Sequence, residues 1–135
     1  MKPKITYIFY LLGLGFIFFG TQKFGAENVV FAIIAERSSF DVFEPVIRRL
    51  TGVAEVLTGL ALFLPRAQKL ATLSSFAILL GAIGFHLSPW LGINVPGIGH
   101  GLFVTAVIMT TVSVYLISQI WALTLKPINL KEAKI

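Results

Sequence analysis

Six residues carry the side chains from which this sequence could build a site: Lys23, Arg48, Arg49, Glu55, His86 and His100. Glu55 lies in the apolar stretch Gly-Val-Ala-Glu-Val-Leu-Thr. A carboxylate in such surroundings is protonated or paired, and it faces the interior of its fold. There it can handle a proton or hydrogen-bond a ligand. The two histidines can move protons near neutral pH. Lys23, Arg48 and Arg49 stand at the ends of apolar runs, where a cation either draws an anionic partner or snorkels to lipid phosphates. Two His and one Glu are metal-ligating types, but their spacing matches no local ligand motif, so no metal site is expected. The chain has no cysteine. It therefore cannot form a disulfide, run thiol chemistry or hold an iron–sulfur cluster by thiolates. No intrinsic cofactor is expected.

The elements that position these residues are long and apolar. The 135 residues are 56% hydrophobic and 13% charged, with a mean hydropathy of +0.88. Soluble domains carry about 25% charged residues. Four runs approach the ~20 apolar residues that a spanning helix needs: 5–24, 45–64, 68–87 and 101–125. Pro45 suits the first turn of the second run, and Asp41 and Glu44 favour the positive end of its dipole. Pro65, Ser88-Pro89 and Lys126-Pro127 end the second, third and fourth runs. The expectation is an all-α membrane protein, a single four-helix transmembrane domain over 1–135. Lys2 and Lys4 resemble the start of a signal peptide, but no small-x-small cleavage pattern follows, so no cleavage is expected.

The connections differ in kind. The first, 25–44, contains ENVVFAIIAERSSF, a short interfacial or partly re-entrant helix. The second, 65–67, is a tight turn. The third, SPWLGINVPGIGH, has no formal charge and is expected to lie in the interface or fold over the bundle mouth.

With four spans, Lys2, Lys4, Arg66, Lys69, Lys126, Lys131 and Lys134 share one side with Glu132. Lys23, Arg37, Arg48 and Arg49 lie on the other, beside four acids. This bias places both termini in the cytoplasm, in the cell (inner) membrane. The net charge of +5 thus reads as membrane orientation, and no nucleic-acid partner is expected.

Depth follows from the rise of ~1.5 Å per residue, which puts Glu55 about 15 Å below the start of its run. Arg48, Gly52, Glu55 and Gly59 share one helical face, flanked by Thr51 and Thr58. Lys23, Arg48, Arg49, His86 and His100 form one layer above Glu55, while the inner half of the spans is nearly free of ionisable groups. The pattern describes a pocket opening outward, basic at its mouth and acidic at its floor. The competing reading is a structural lock in which Glu55 binds Arg48 or a neighbouring helix. His100 also reads as a solvated loop residue. Gly13, Gly15, Gly20, Gly52, Gly59, Gly81 and Gly84 read as helix-packing positions. Trp90 and Trp121 read as interface aromatics.

The segment GLGFIFFGTQKFG resembles the first helix of the DoxX-like membrane proteins. RRLTGVAEVLTGLALFLP is similar to their most recognisable segment: an Arg, a Gly, a mid-helix Glu, a second Gly and a closing Pro. Lys23, Arg48, Gly52, Glu55, Gly59 and His86 match the family-like pattern, and the resemblance covers roughly residues 5–125. It implies a four-helix membrane bundle tied to redox complexes or to membrane-protein assembly, and it brings no catalytic assignment. Two functions stand side by side. One is a quinone- or lipid-binding accessory subunit of a membrane redox system. The other is a non-enzymatic assembly or chaperone-like accessory that docks a membrane-protein partner. A solute channel is a weaker third, for want of polar residues in the inner half.

Overall fold

A computed structural model describes residues 3–124. Five α-helices follow in order: α1 (Pro3–Thr21), α2 (Val29–Ser38), α3 (Val46–Leu62), α4 (Gln68–Leu87) and α5 (Gly101–Thr124). Short 3-10 turns at Gln22–Phe24 and Asp41–Phe43 extend α1 and lead into α3. No strand occurs among the described residues; a single bridge pairs Val95 with Gly99. Leu125, Lys126, Lys131, Glu132 and Lys134 lie outside the described residues, as does Lys2. The charge bias used to orient the chain rests partly on them.

Three helices are long and apolar enough to cross a membrane: Lys4–Phe24, Gln68–Leu87 and Gly101–Ala122. The expectation of four such helices is met only in part. α3 has 17 residues and carries Arg48, Arg49 and Glu55, so it is both shorter and more polar than the others.

The helices form two tight pairs. On α1, Ile5, Phe9, Leu12 and Phe16 recur at helical spacing and are all buried. They join Leu62, Ala71, Leu79 and Leu116 in the main core. α1 and α3 run antiparallel, in contact through glycines. A Cβ on Gly59 would lie 2.8 Å from the Gly13 carbonyl oxygen, and one on Gly52 would lie 3.0 Å from that of Gly20. Only glycine allows backbones this close. Farther along, the Tyr10 and Phe63 rings stack at 5.0 Å.

The turn at 65–67 reverses the chain, and Gln68 Nε2 donates to the Leu62 carbonyl at 3.1 Å. α4 then pairs with α5. Ser75 and Ser113 share a buried hydrogen bond of 3.0 Å between their hydroxyls, and the His86 ring meets Phe103 edge-on at 5.7 Å. Near the turn, Lys69 Nζ lies 5.6 Å from the Trp121 ring centroid. The exposed faces of these helices are mostly apolar; Leu11, Leu57, Leu70 and Ile108 are each more than half exposed.

The connection 25–44 does contain a helix, α2, whose first turn is capped by the Asn28 side chain accepting from Val30 N at 3.1 Å. The apolar loop 88–100 folds back on it. Ile34 of α2 packs with Leu91 and Val95 in a second, smaller core, and Arg37 donates to the Trp90 and Leu91 carbonyls at 3.4 Å. Positive φ at Gly97 and Gly99 lets the chain turn tightly enough for Val95 and Gly99 to exchange backbone hydrogen bonds. α2 and this loop together lie across the end of the bundle that holds Lys23 and His86.

Candidate functional site

At that end a cavity of about 630 Å³ lies between the two helix pairs. Its walls come from α1, α3, α4 and α5, with α2 and the 88–100 loop across the top. Most of the lining is apolar: Phe16, Phe19, Phe31, Ile34 and Leu79 are among its side chains. The polar groups are few, and Lys23, Thr51, Glu55 and His86 are the ones that matter chemically.

Glu55 is held by Lys23, not by Arg48. Lys23 Nζ lies 2.6 Å from Glu55 Oε2, with side chains 14% and 11% exposed. The reason is geometric. Gly20 and Gly52 bring α1 and α3 together one turn away, so a lysine at the end of α1 reaches the carboxylate directly. Lys23 Nζ also donates to the Phe19 carbonyl at 3.3 Å. Of its three N–H donors, one remains for a ligand. Glu55 Oε1 likewise has no hydrogen-bond partner among the described residues.

Arg48 does a different job. It is fully buried, and its Nε donates to Glu44 Oε1 at 2.6 Å. Its guanidinium donates to the carbonyls of Lys23, Gly25 and Ala26, at 2.8 Å and 3.2 Å for the last two. These carbonyls belong to the end of α1, where no further helical turn satisfies them. Arg48 therefore caps α1 from the neighbouring helix and fixes the backbone from which Lys23 extends. Of the two partners open to Glu55 in the lock reading, Arg48 or a neighbouring helix, it takes the neighbouring helix, and the pairs are Lys23–Glu55 and Arg48–Glu44.

His86 is 5% exposed and lines the cavity. Its Nδ1 lies 2.9 Å from the Gly92 carbonyl. A carbonyl only accepts, so Nδ1 carries the proton and neutral His86 keeps a lone pair on Nε2. Gly92 has φ +83°, a conformation that glycine adopts without steric cost, and it turns this carbonyl toward the ring.

Of the six residues singled out by sequence, Lys23, Glu55 and His86 meet around the cavity. Arg48 sits behind them. Arg49 and His100 are exposed and line none of it. Among the described residues no group of three or more His, Cys, Asp or Glu could hold a metal ion. The sequence reading missed Phe31, Ile34, Leu91 and Ile98 as wall residues. Their apolar character in two connecting segments was the available signal. It also misread Gly81 and Gly84 as packing positions: a Cβ on either would meet nothing within 4 Å. Gly81 instead lines the cavity. Compared with known proteins, the chain matches no family model, and no curated protein or solved structure is similar to it.

Proposed function

We propose that this protein is a four-helix membrane protein of the DoxX-like kind that binds an uncharged amphiphile, a quinone by preference, as an accessory subunit of a membrane redox system. α3 crosses the bilayer as the fourth span although it is the shortest. It lies along α1 from the level of Lys23 to that of Tyr10, so it occupies the depth that α1 occupies. Its outer face, with Leu50, Val53, Leu57 and Leu60 exposed, suits lipid. Arg48, Glu55 and Thr58 are turned inward, and the exposed Arg49 stands near the end of the helix. In this arrangement both termini face the cytoplasm, and the cavity lies in the outer half of the membrane.

The observation that carries the ligand class is the charge balance of the cavity. It is apolar, and its one cation and one buried anion already neutralise each other at 2.6 Å. An anionic headgroup would enter without a free counter-charge, at a large desolvation cost, and the remaining carboxylate of the lining, Glu27, is exposed at its rim. An uncharged head with carbonyl or hydroxyl groups fits better. The free Lys23 N–H would donate to a carbonyl, and His86 Nε2 would accept from a hydroxyl. These are the two oxygen states of a quinone and its quinol.

The test is to purify the protein in mild detergent, extract what it retains and identify it by mass spectrometry. A neutral prenylated quinone retained by the wild type, and lost from Glu55→Gln, is the expected result. The second reading, an assembly factor without a ligand, draws on the completeness of the Lys23–Glu55 pair. It gains if nothing is retained and Glu55→Gln alters only thermal stability. The four-span arrangement has its own test. The chain has no cysteine, so single cysteines placed at Lys4 and Arg66 report sidedness without background. Both should be labelled from the cytoplasmic side; opposite sidedness would remove α3 as a span.

A further inference from the structure

Apart from Ile98 in the 88–100 loop, the exposed residues of the cavity lining fall into two groups. Gln22, Glu27 and Val29 mark a polar rim at the end of α1. Ala54, Ala77 and Gly81 form the second group, along α3 and α4. At ~1.5 Å per residue, these three lie roughly 9–15 Å below the helix ends at the cavity side, level with one another. They face each other across the α3–α4 seam. On α3, Ile47, Thr51 and Ala54 occupy the side opposite the α1 contact made by Gly52 and Val56. On α4, Gly81 lies roughly 120–140° around the helix from Ser75 and His86, which meet α5, with Ile78 and Phe85 between.

The seam is closed at one end only. Near the 65–67 turn, Leu62 and Ala71 are buried in the main core and Gln68 bonds across to Leu62. Toward Gly81, Ala54 of α3 and Ala77 of α4 both line the cavity and are exposed. A Cβ at Gly81 would meet nothing within 4 Å. His86, 5% exposed and with no partner for Nε2 among the described residues, lies at the cavity end of this stretch.

We infer that the α3–α4 crevice is a lateral portal to the bilayer, through which a long-chain neutral amphiphile enters. Its head reaches Lys23, Glu55 and His86, while its chain stays in the crevice against Ala54, Ala77 and Gly81. The ligand is then a membrane-resident molecule that never passes through water. This rests on the proposed ligand-binding role of the cavity and adds a route and a chain requirement to it.

Two probes separate the claims: a benzoquinone bearing a decyl chain and its counterpart without the chain. Binding to the detergent-purified full chain is read by quenching of Trp90, which packs against the lining residue Phe85, in a Trp121→Phe background. Wild type should bind the decyl quinone more tightly. Gly81→Phe fills open space without a backbone clash, and it should weaken the decyl quinone by about ten-fold or more, the worth of a few buried methylenes. The chainless probe should change less than about two-fold. If both probes bind Gly81→Phe as they bind wild type, the portal is overturned and the site stands. If both weaken equally, the substitution blocks the site itself and the portal is again overturned. If wild type binds neither, the site reading fails and the portal with it. Should Gly81→Phe not fold, Ala77→Leu and Ala54→Leu carry the same comparison from either wall.

Discussion

α3 has two seams, and they are built on opposite plans. Toward α1 it is sealed: Gly13 against Gly59, Gly20 against Gly52, and at the end the Lys23–Glu55 ion pair and the Arg48 hydrogen bonds to the carbonyls of Lys23, Gly25 and Ala26. Toward α4 it is sealed near the 65–67 turn, and beyond it Ala54 and Gly81 are exposed cavity lining. Small residues line both seams. On the first they let backbones touch; on the second they leave room. A glycine in an apolar helix therefore has no fixed meaning. What stands opposite it decides whether it closes a contact or opens a space.

Substitutions can break or sharpen this contrast. The largest effect is expected at Arg48. Arg48→Met would orphan three backbone carbonyls and leave Glu44 buried without its cation, a loss of about 3–5 kcal/mol by the usual cost of breaking a buried pair. Arg48→Lys should recover only part of it, because an ammonium cannot span carbonyls on both sides as the guanidinium does. Unfolding by denaturant in mixed micelles measures both.

Next comes Lys23–Glu55. Lys23→Met or Glu55→Leu alone should cost about 3 kcal/mol, since each strands the other charge. The double change should recover most of that loss in the same unfolding assay. Equal, additive losses would mean that the pair does not seal the α1–α3 seam. Gly59→Ala should cost about 1–3 kcal/mol by overpacking against the Gly13 carbonyl and Ile17. Ser75→Ala, in the α4–α5 pair, should cost about 1 kcal/mol, the worth of one buried hydrogen bond in a bundle of this kind. The smallest effect belongs to the open seam. Gly81→Ala should be neutral or stabilising by up to ~1 kcal/mol through helix propensity alone. A loss there as large as that of Gly59→Ala would erase the distinction between the seams.

Much of this was legible in the sequence. The helices follow from apolar runs and their proline stops, with α4 at 68–87 as expected. The face shared by Arg48, Gly52, Glu55 and Gly59 is a matter of helical period, and all four residues are buried on it. Partner choice was not legible. Arg48 and Glu55 lie two turns apart on one helix, whereas Lys23 lies 32 positions from Glu55 in the chain. Only the glycine contact between α1 and α3 brings the lysine closer than the arginine, and a period within one helix says nothing about its neighbour. The cavity walls escaped for a similar reason. The short helix in 25–44 and a charge-free loop lying in the interface or over the bundle mouth are both readable, but their packing on each other is written in neither segment.

That packing has a consequence for how the protein is made. Ile34 of α2 leaves the ribosome long before its partners Leu91 and Val95, and the whole of α3 and α4 must be synthesised in between. Until then α2 has nothing to cover. The α1–α3 pair is complete by residue 62, about a quarter of the chain earlier. The cavity thus forms only after the α1–α3 pair, once α5 supplies its last wall, and a nascent chain stalled before residue 95 would hold its ion pairs but no enclosed space.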